Sequence, residues 1–410
     1  MAKLMHDKIT VAIDIGTTKI CVLVAQPTAM GFEVIGVGKV PCDGLRKGVV
    51  VDVAKTIKSI EAAVKEAQTM AGVSIDSAVI GISGGHIQST NSMGMVPIKH
   101  TQVRQTDIDS ALMAAQAITI PEGYQILHVL PQFFVIDGKD RVQHPLGMCG
   151  VRLEVHAHII LGSVTSVQNL VICCQQAGIA VDDIILEQLA SADAVLSDDE
   201  RHLGVAMLDI GGGTSDLAMY HNGSIRHTKV LAIAGNHVTN DIAIGLKTTL
   251  KDAERIKKQF GYADMNLLSH DDIIEIEKVQ GIEKNHIYVS ELIKIIHPRV
   301  SELLTLIHQE ITKRNLTGYM TSGLVLTGGG SLLKGISELA QQIFQVPVRI
   351  GTARIDYHVP QALDNPIFAT GYGLLVCTFN KKQQKTMQHS TGPMVNRIIM
   401  RMKSWVSDFF

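Results

Sequence analysis

The segment Ile9 to Val24 and the segment Val205 to Tyr220 are written in the same grammar: an apolar run, an Asp-Ile-Gly turn, and a second apolar run. Near-continuous apolar strands of this kind belong to sheets covered on both faces, and the glycine turn between them reads as a hairpin. Each hairpin is followed by another strand-like run, Glu33 to Val40 and Ser224 to Ile233, and then by a helical pattern, Val51 to Met70 and Asn236 to Leu246. Half of the chain is thus written twice. Two such sheets with helices on their faces predict a two-lobed α/β fold with a ligand cleft between the lobes.

The turns carry the chemistry of a nucleotide phosphate chain. Gly16, Gly211, Gly212 and Gly213 let backbone approach a ligand closely, while their N–H groups and the hydroxyls of Thr17, Thr18 and Thr214 offer donors to phosphate oxygens. Lys19 adds a positive charge. Asp14 and Asp209 are expected to face one another across the cleft, where two carboxylates repel unless a cation lies between them; a hydrated Mg2+ would do so, with Asp216 joining through water. A P-loop is excluded, because Glu33 and Phe133 stand where the first glycine would be needed before Lys39 and Lys139.

A third element, Gly323 to Gly335, runs as a strand into Gly328, Gly329 and Gly330 and then into a helix through about Phe344. Its bare backbone suits a flat adenosine. Glu254 and Lys257, one helical turn apart, are candidates for the ribose, with a plain surface ion pair as the competing reading. Glu187, on the run Ile184 to Ala192 ahead of Asp209, is placed to orient an attacking water.

Composition narrows the alternatives. Of 410 residues 46% are apolar and 19% charged, as in an ordinary globular protein, and a net charge of −2 gives no global reason to bind nucleic acid. Apolar runs break well short of the roughly 20 residues that span a bilayer. Met1 to Thr10 lacks the apolar core of a signal peptide, so the cytoplasm is the expected compartment. Six cysteines without repeated spacing read as reduced core thiols. His156 and His158 share one face of a strand but lack a third ligand, so a structural role is expected.

Asp14 to Lys19, Asp209 to Asp216 and Thr327 to Gly330, in that order, resemble the two phosphate motifs and the adenosine motif of the superfamily of actin, sugar kinases and heat-shock chaperone ATPases. Within it the chain resembles the FtsA family of bacterial cell-division proteins, through Arg46 to Asp52, Gly84 to Gln88, Met93 to Ile98, His128 to Gln132, Gly147 to Arg152, Arg226 to Val230 and Arg349 to Gly351. The resemblance implies a duplicated ribonuclease-H-like, actin-like ATPase fold that binds ATP and Mg2+. It implies a first lobe from 1–83, 164–204 and 361–379, with an inserted subdomain over 84–163. The second lobe would take 205–360, its outer part about 236–318. Prolines 97, 121, 131 and 145 break the strand-helix rhythm where the insertion is expected.

Such proteins are expected to assemble into filaments, to hydrolyse ATP slowly at most, and to bind the C-terminal peptide of tubulin-like FtsZ. Arg299 and Glu302 on the helix beginning near His297 are the candidate contacts, with an ordinary ion pair as the alternative. The inserted subdomain would meet later division proteins. Two other readings are weighed: an actin-like adaptor of pilus assembly, which would lack the tail described next, and a small-molecule kinase, for which no substrate base is evident.

From Asn380 to Pro393 the chain turns polar and reads as a flexible linker with a span of roughly 20 Å. On a helical wheel Val395, Ile398, Ile399, Met402, Trp405, Val406, Phe409 and Phe410 share an arc of about 160°, flanked by Arg397, Arg401 and Lys403. Residues 394–410 therefore read as an amphipathic helix lying on anionic lipid, and the family resemblance implies the cytoplasmic face of the inner membrane at the division septum. Burying that face is worth on the order of 10 kcal/mol before the cost of forming the helix, so one tail binds reversibly and an array binds firmly.

Overall fold

Each Asp-Ile-Gly segment closes an antiparallel hairpin. The computed structural model describes residues 9–28, 31–277, 284–353 and 361–388. In the first lobe β1 (Thr10–Ile15) pairs with β2 (Lys19–Thr28) and β2 with β3 (Gly31–Pro41), both antiparallel. A short hairpin, β4 (Leu45–Arg46) and β5 (Val49–Val50), leads to helix α1 (Val53–Ala71). Asp52 caps α1 by accepting the Lys55 N–H at 3.0 Å, and Gly72 ends it in the left-handed conformation that glycine adopts without strain. Ile60, Ala63, Val64 and Ala67 recur at helical spacing and form its buried face.

Strand β6 (Ser77–Ile82) then joins β1 in parallel. The chain passes through the inserted segment, containing β7 (Gln88–Pro97), α2 (Gln105–Ala115), β8 (Tyr124–Ile136), β9 (Arg141–Val142) and β10 (Arg152–Ser163). It returns through α3 (Val164–Gln176) to β11 (Ala180–Leu186), which pairs in parallel with β6. The sheet order is β11-β6-β1-β2-β3. Helices α4 (Glu187–Val195) and α5 (Asp198–Leu203) lead out of the lobe.

The second lobe repeats this plan. Strands β12 (Val205–Ile210), β13 (Ser215–His221) and β14 (Ser224–Leu231) form an antiparallel meander. After α6 (Gly235–Leu246), α7 (Leu250–Phe260), the hairpin β15 (Ile273–Glu277) and β16 (Lys284–Tyr288), and the long α8 (Val289–Lys313), strand β17 (Leu324–Thr327) joins β12 in parallel. Helix α9 (Ile336–Phe344) precedes β18 (Val348–Ile350), which pairs in parallel with β17. The order β14-β13-β12-β17-β18 matches the first sheet strand for strand. Its core joins Leu208, Leu217 and Leu326 of the sheet to Ile242, Ile256, Ile296 and Leu304 of the helices.

By itself, the inserted unit comprises residues 89–161, a few residues inside the expected 84–163; the described residues from 377 onward group with it. A four-stranded sheet, β7-β10-β8-β9, carries α2 on one face over Ile108, Ala111, Phe134, Leu153 and Val155. His158 is buried with its Nδ1 2.6 Å from the Asn91 Oδ1, and His156 stacks on Phe133 with ring centroids 4.3 Å apart.

Two expectations need correction. The cysteines are free, but Cys149 is exposed while the other five are buried. The last described helix, α10 (Ala369–Gln388), begins on the first lobe, with Tyr372 5.5 Å from the Phe32 ring, and runs on through Gln388. Residues 380–388, read as linker, are helical. Lys, Gln, Thr and Met propagate a helix that packing has already nucleated, and no Gly or Pro intervenes before Gly392. The amphipathic tail 394–410 lies outside the described residues.

Candidate functional site

The two hairpin turns are closed alike: the Gly16 N–H donates to Lys19 O at 3.0 Å and the Gly211 N–H to Thr214 O at 2.9 Å. They also interlock. A Cβ on Gly212 would run into the Thr18 side chain, and one on Gly213 into that of Thr17. The Thr17 hydroxyl in turn accepts the Gly48 N–H at 3.1 Å. The expected phosphate residues therefore meet as one constellation from both lobes.

Four carboxylates and one ammonium share this buried place. Lys19 pairs with Asp14, which is buried at the end of β1. Burial works against the lysine's charge, but Asp14, with a smaller contribution from Asp209, raises its pKa above the ordinary value. Asp209, at the end of β12, is raised first by burial and then by Asp14, against donors from Ser191 at 2.6 Å and Thr370 at 3.1 Å. Asp216, at the start of β13, accepts the Ser83 hydroxyl and is pushed up to about 7, by burial and then by Asp209 and Asp14. Glu187 opens α4, with its side chain over Gly81 of β6. Lost hydration raises its pKa well above the usual carboxylate range, and Asp14, Asp216 and Asp209 raise it further. Burial and mutual repulsion thus favour a cation or shared protons at this place.

The third glycine element packs against the same strand end. Gly328, with φ +79°, leaves no room for a side chain beside the Asp209 Oδ1 and the Ile210 carbonyl, and Gly330 lies on Ile210. Gly329 is exposed, with the Ile367 side chain 3.6 Å from where a Cβ would stand. Lys257 reaches back to this region: its Nζ bonds Glu254 at 2.6 Å, Thr239 Oγ1 at 2.8 Å and Gly235 O at 3.1 Å, while the Gly235 N–H donates to Gly211 O at 3.1 Å. Burial alone would raise the Glu254 pKa, but Lys257 overrides it and holds it at about 2. Glu254 and Lys257 therefore form an ion pair that buttresses the second hairpin turn.

Arg299 and Glu302 lie elsewhere, on α8. Arg299 donates to Asp241 of α6 at 2.6 and 3.2 Å and pairs with Glu302.

The chain is similar to known proteins. A family model described as "Cell division protein FtsA" matches residues 206–373, and one described as "SHS2 domain inserted in FTSA" matches 84–161. The cell division protein FtsA of Pseudomonas aeruginosa is 42% identical over 417 residues, covering 100% of both chains. This chain belongs to the FtsA family. FtsA of Bacillus subtilis is 37% identical over 90% of this chain and 83% of its own, and FtsA of Escherichia coli K12 is 34% identical over 100% of both. Among solved structures, a PilM–PilN type IV pilus biogenesis complex matches with a TM-score of 0.65 at 16% identity, over 90% of this chain and 98% of that one. MreB5 of Spiroplasma citri bound to ADP matches at 0.58 and 16%, over 94% and 99%. Both are likenesses of fold: this FtsA-family chain has the actin-like two-lobed architecture with the family's insertion.

Reading the sequence missed Ser83, Ser191, Thr239 and Thr370. For Ser83 a signal existed, since it follows a buried strand and leads into Gly84-Gly85, much as glycines follow the strands at the two hairpin turns. The other three hydroxyls carry no local pattern, and their carboxylate partners are 15 to 161 residues away.

Proposed function

We propose that this FtsA-family cell-division protein binds ATP with Mg2+ between the two hairpin turns and uses assembly on ATP to anchor the division ring to the membrane. One observation carries the nucleotide half: at the meeting of two glycine turns Asp14, Glu187, Asp209 and Asp216 form one buried, mutually interacting carboxylate cluster, with Lys19 paired to Asp14. No three carboxylates or histidines among the described residues are close enough to ligate a metal directly. That fits an ion held through its own water shell, as Mg2+ prefers. Asp14 and Asp209 would hold those waters, the bare backbone of Gly16 and Gly211 to Gly213 would take the phosphates, and Gly328 to Gly330 would take the adenosine. When bound, Mg2+ would supply charge neutralisation of the phosphate chain. Glu187, with its raised basicity, is the residue to orient water for slow hydrolysis. The fold likeness to MreB5, solved with ADP and with AMPPNP, supports this reading.

The membrane half rests on the tail's amphipathic pattern, Val395 to Phe410, and on the family. FtsZ's C-terminal peptide is the expected partner on the outer second lobe near Arg299 and Glu302, and the inserted unit is expected to meet later division proteins. No helix among the described residues is long and apolar enough to cross a membrane. A surface anchor is compatible with that. Relatives aligned over the full chain are cell-division proteins, so the pilus-adaptor and kinase readings are set aside.

Measured with a fluorescent ATP analogue, Asp209→Ala should weaken Mg-nucleotide binding at least about tenfold while the fold persists. Unchanged affinity would remove this cleft from the account.

A further inference from the structure

Three oxygens meet at Asp209: its own Oδ2, the Ser191 hydroxyl 2.6 Å from it and the Thr370 hydroxyl 3.1 Å from it, the two hydroxyls being 3.0 Å apart. Ser191 is fully buried and Thr370 nearly so. Only two hydroxyl hydrogens are shared among three contacts. The short Ser191 bond takes one, and Thr370 places the other on the carboxylate or on the Ser191 oxygen, which strengthens the first bond by polarising it. On its other side the carboxylate's Oδ1 lies against Gly328, where no side chain fits. Asp209 is therefore held at Oδ2 by two hydroxyls, with Oδ1 beside the bare backbone of Gly328.

The two donors come from different helices. Ser191 is four residues after Glu187 on α4, so the two side chains share a helix face. Thr370 is the second residue of α10. We propose that Ser191 and Thr370 are positioning residues that aim the Asp209 carboxylate at the hydrated cation accompanying the nucleotide, tying cation affinity to the seating of α4 and α10. This rests on the nucleotide reading above. The plainer role, two buried hydroxyls satisfying a buried carboxylate, predicts a stability change alone.

Separating the two takes the full-length chain, a fluorescent ATP analogue, and titrations of Mg2+ at fixed nucleotide alongside binding in EDTA. Ser191→Ala and Thr370→Val should each raise the Mg2+ concentration for half-maximal binding about tenfold, the range for lost partners of metal-holding groups, and leave binding in EDTA unchanged. Thr370→Ser, which keeps the hydroxyl, should return the requirement to within about twofold of wild type. A wild-type Mg2+ requirement in both Ser191→Ala and Thr370→Val, or an equal loss with and without Mg2+, overturns the inference alone. If Ser191→Ala does not fold, the Thr370→Val and Thr370→Ser pair decides by the same criteria. A wild-type protein with no Mg2+-dependent nucleotide binding overturns both this inference and the nucleotide reading.

Discussion

The Thr18 side chain fills the space beside Gly212: a Cβ there would lie 3.0 Å from the Thr18 Cβ and 2.6 Å from its Oγ1. Neither neighbour can yield easily, because Thr18 is in the tight turn that precedes β2 and Gly212 in its counterpart before β13. Gly212→Ala should therefore push the two hairpin turns apart. The expected outcome is a loss of about 1–3 kcal/mol in urea unfolding, the usual cost of overpacking, together with weakened nucleotide binding. Wild-type behaviour in both measurements would show that the turns do not need this contact.

The carboxylate cluster makes a pH prediction. Asp216 has a folded pKa of about 7 against an ordinary 3.8, and Asp209 and Glu187 are raised as well. The folded state thus holds protons more tightly than the unfolded chain. Its contribution to stability is fully present below about pH 4 and is lost as pH rises through about 7. In EDTA without nucleotide, the urea midpoint of Asp216→Asn relative to wild type should rise between pH 5 and pH 7.5, because the amide keeps the Ser83 bond without a buried charge. A constant difference across that window would contradict the shift.

In the sequence Glu187 reads as a carboxylate ahead of Asp209 that could orient water; its side chain stands over Gly81 and interacts with the other three acids. Glu187→Gln should leave nucleotide affinity within about twofold and cut phosphate release by at least about tenfold, since it keeps the shape and removes the base. A variant with undiminished phosphate release would leave Glu187 without a role in hydrolysis.

These residues mark what a chain of this kind displays in its sequence. The hairpins declared themselves because backbone chemistry imposed the same Asp-Ile-Gly turn twice, and a repeated turn is a local signal. Matching sheet orders followed from it. Ser191 and Thr370 were invisible because a hydroxyl that serves a carboxylate 18 or 161 residues away leaves no spacing to read. The segment 380–388 misled for a different reason: polarity reports solvent exposure, and an exposed continuation of a helix is polar too. The hairpin β15–β16 was hidden because its strands are five residues each, too short for a period to stand out against the helices around them.

The central claim is that ATP binding in the cleft converts a weak membrane anchor into a firm one that carries FtsZ. Co-sedimentation of FtsZ with anionic liposomes tests it most directly, using the full chain, the chain lacking 394–410, and Asp209→Ala, each with and without Mg-ATP. FtsZ should pellet with the full chain and Mg-ATP, and fall to background without nucleotide, without the tail, or with Asp209→Ala. Equal FtsZ pelleting by the full chain with and without Mg-ATP would contradict it.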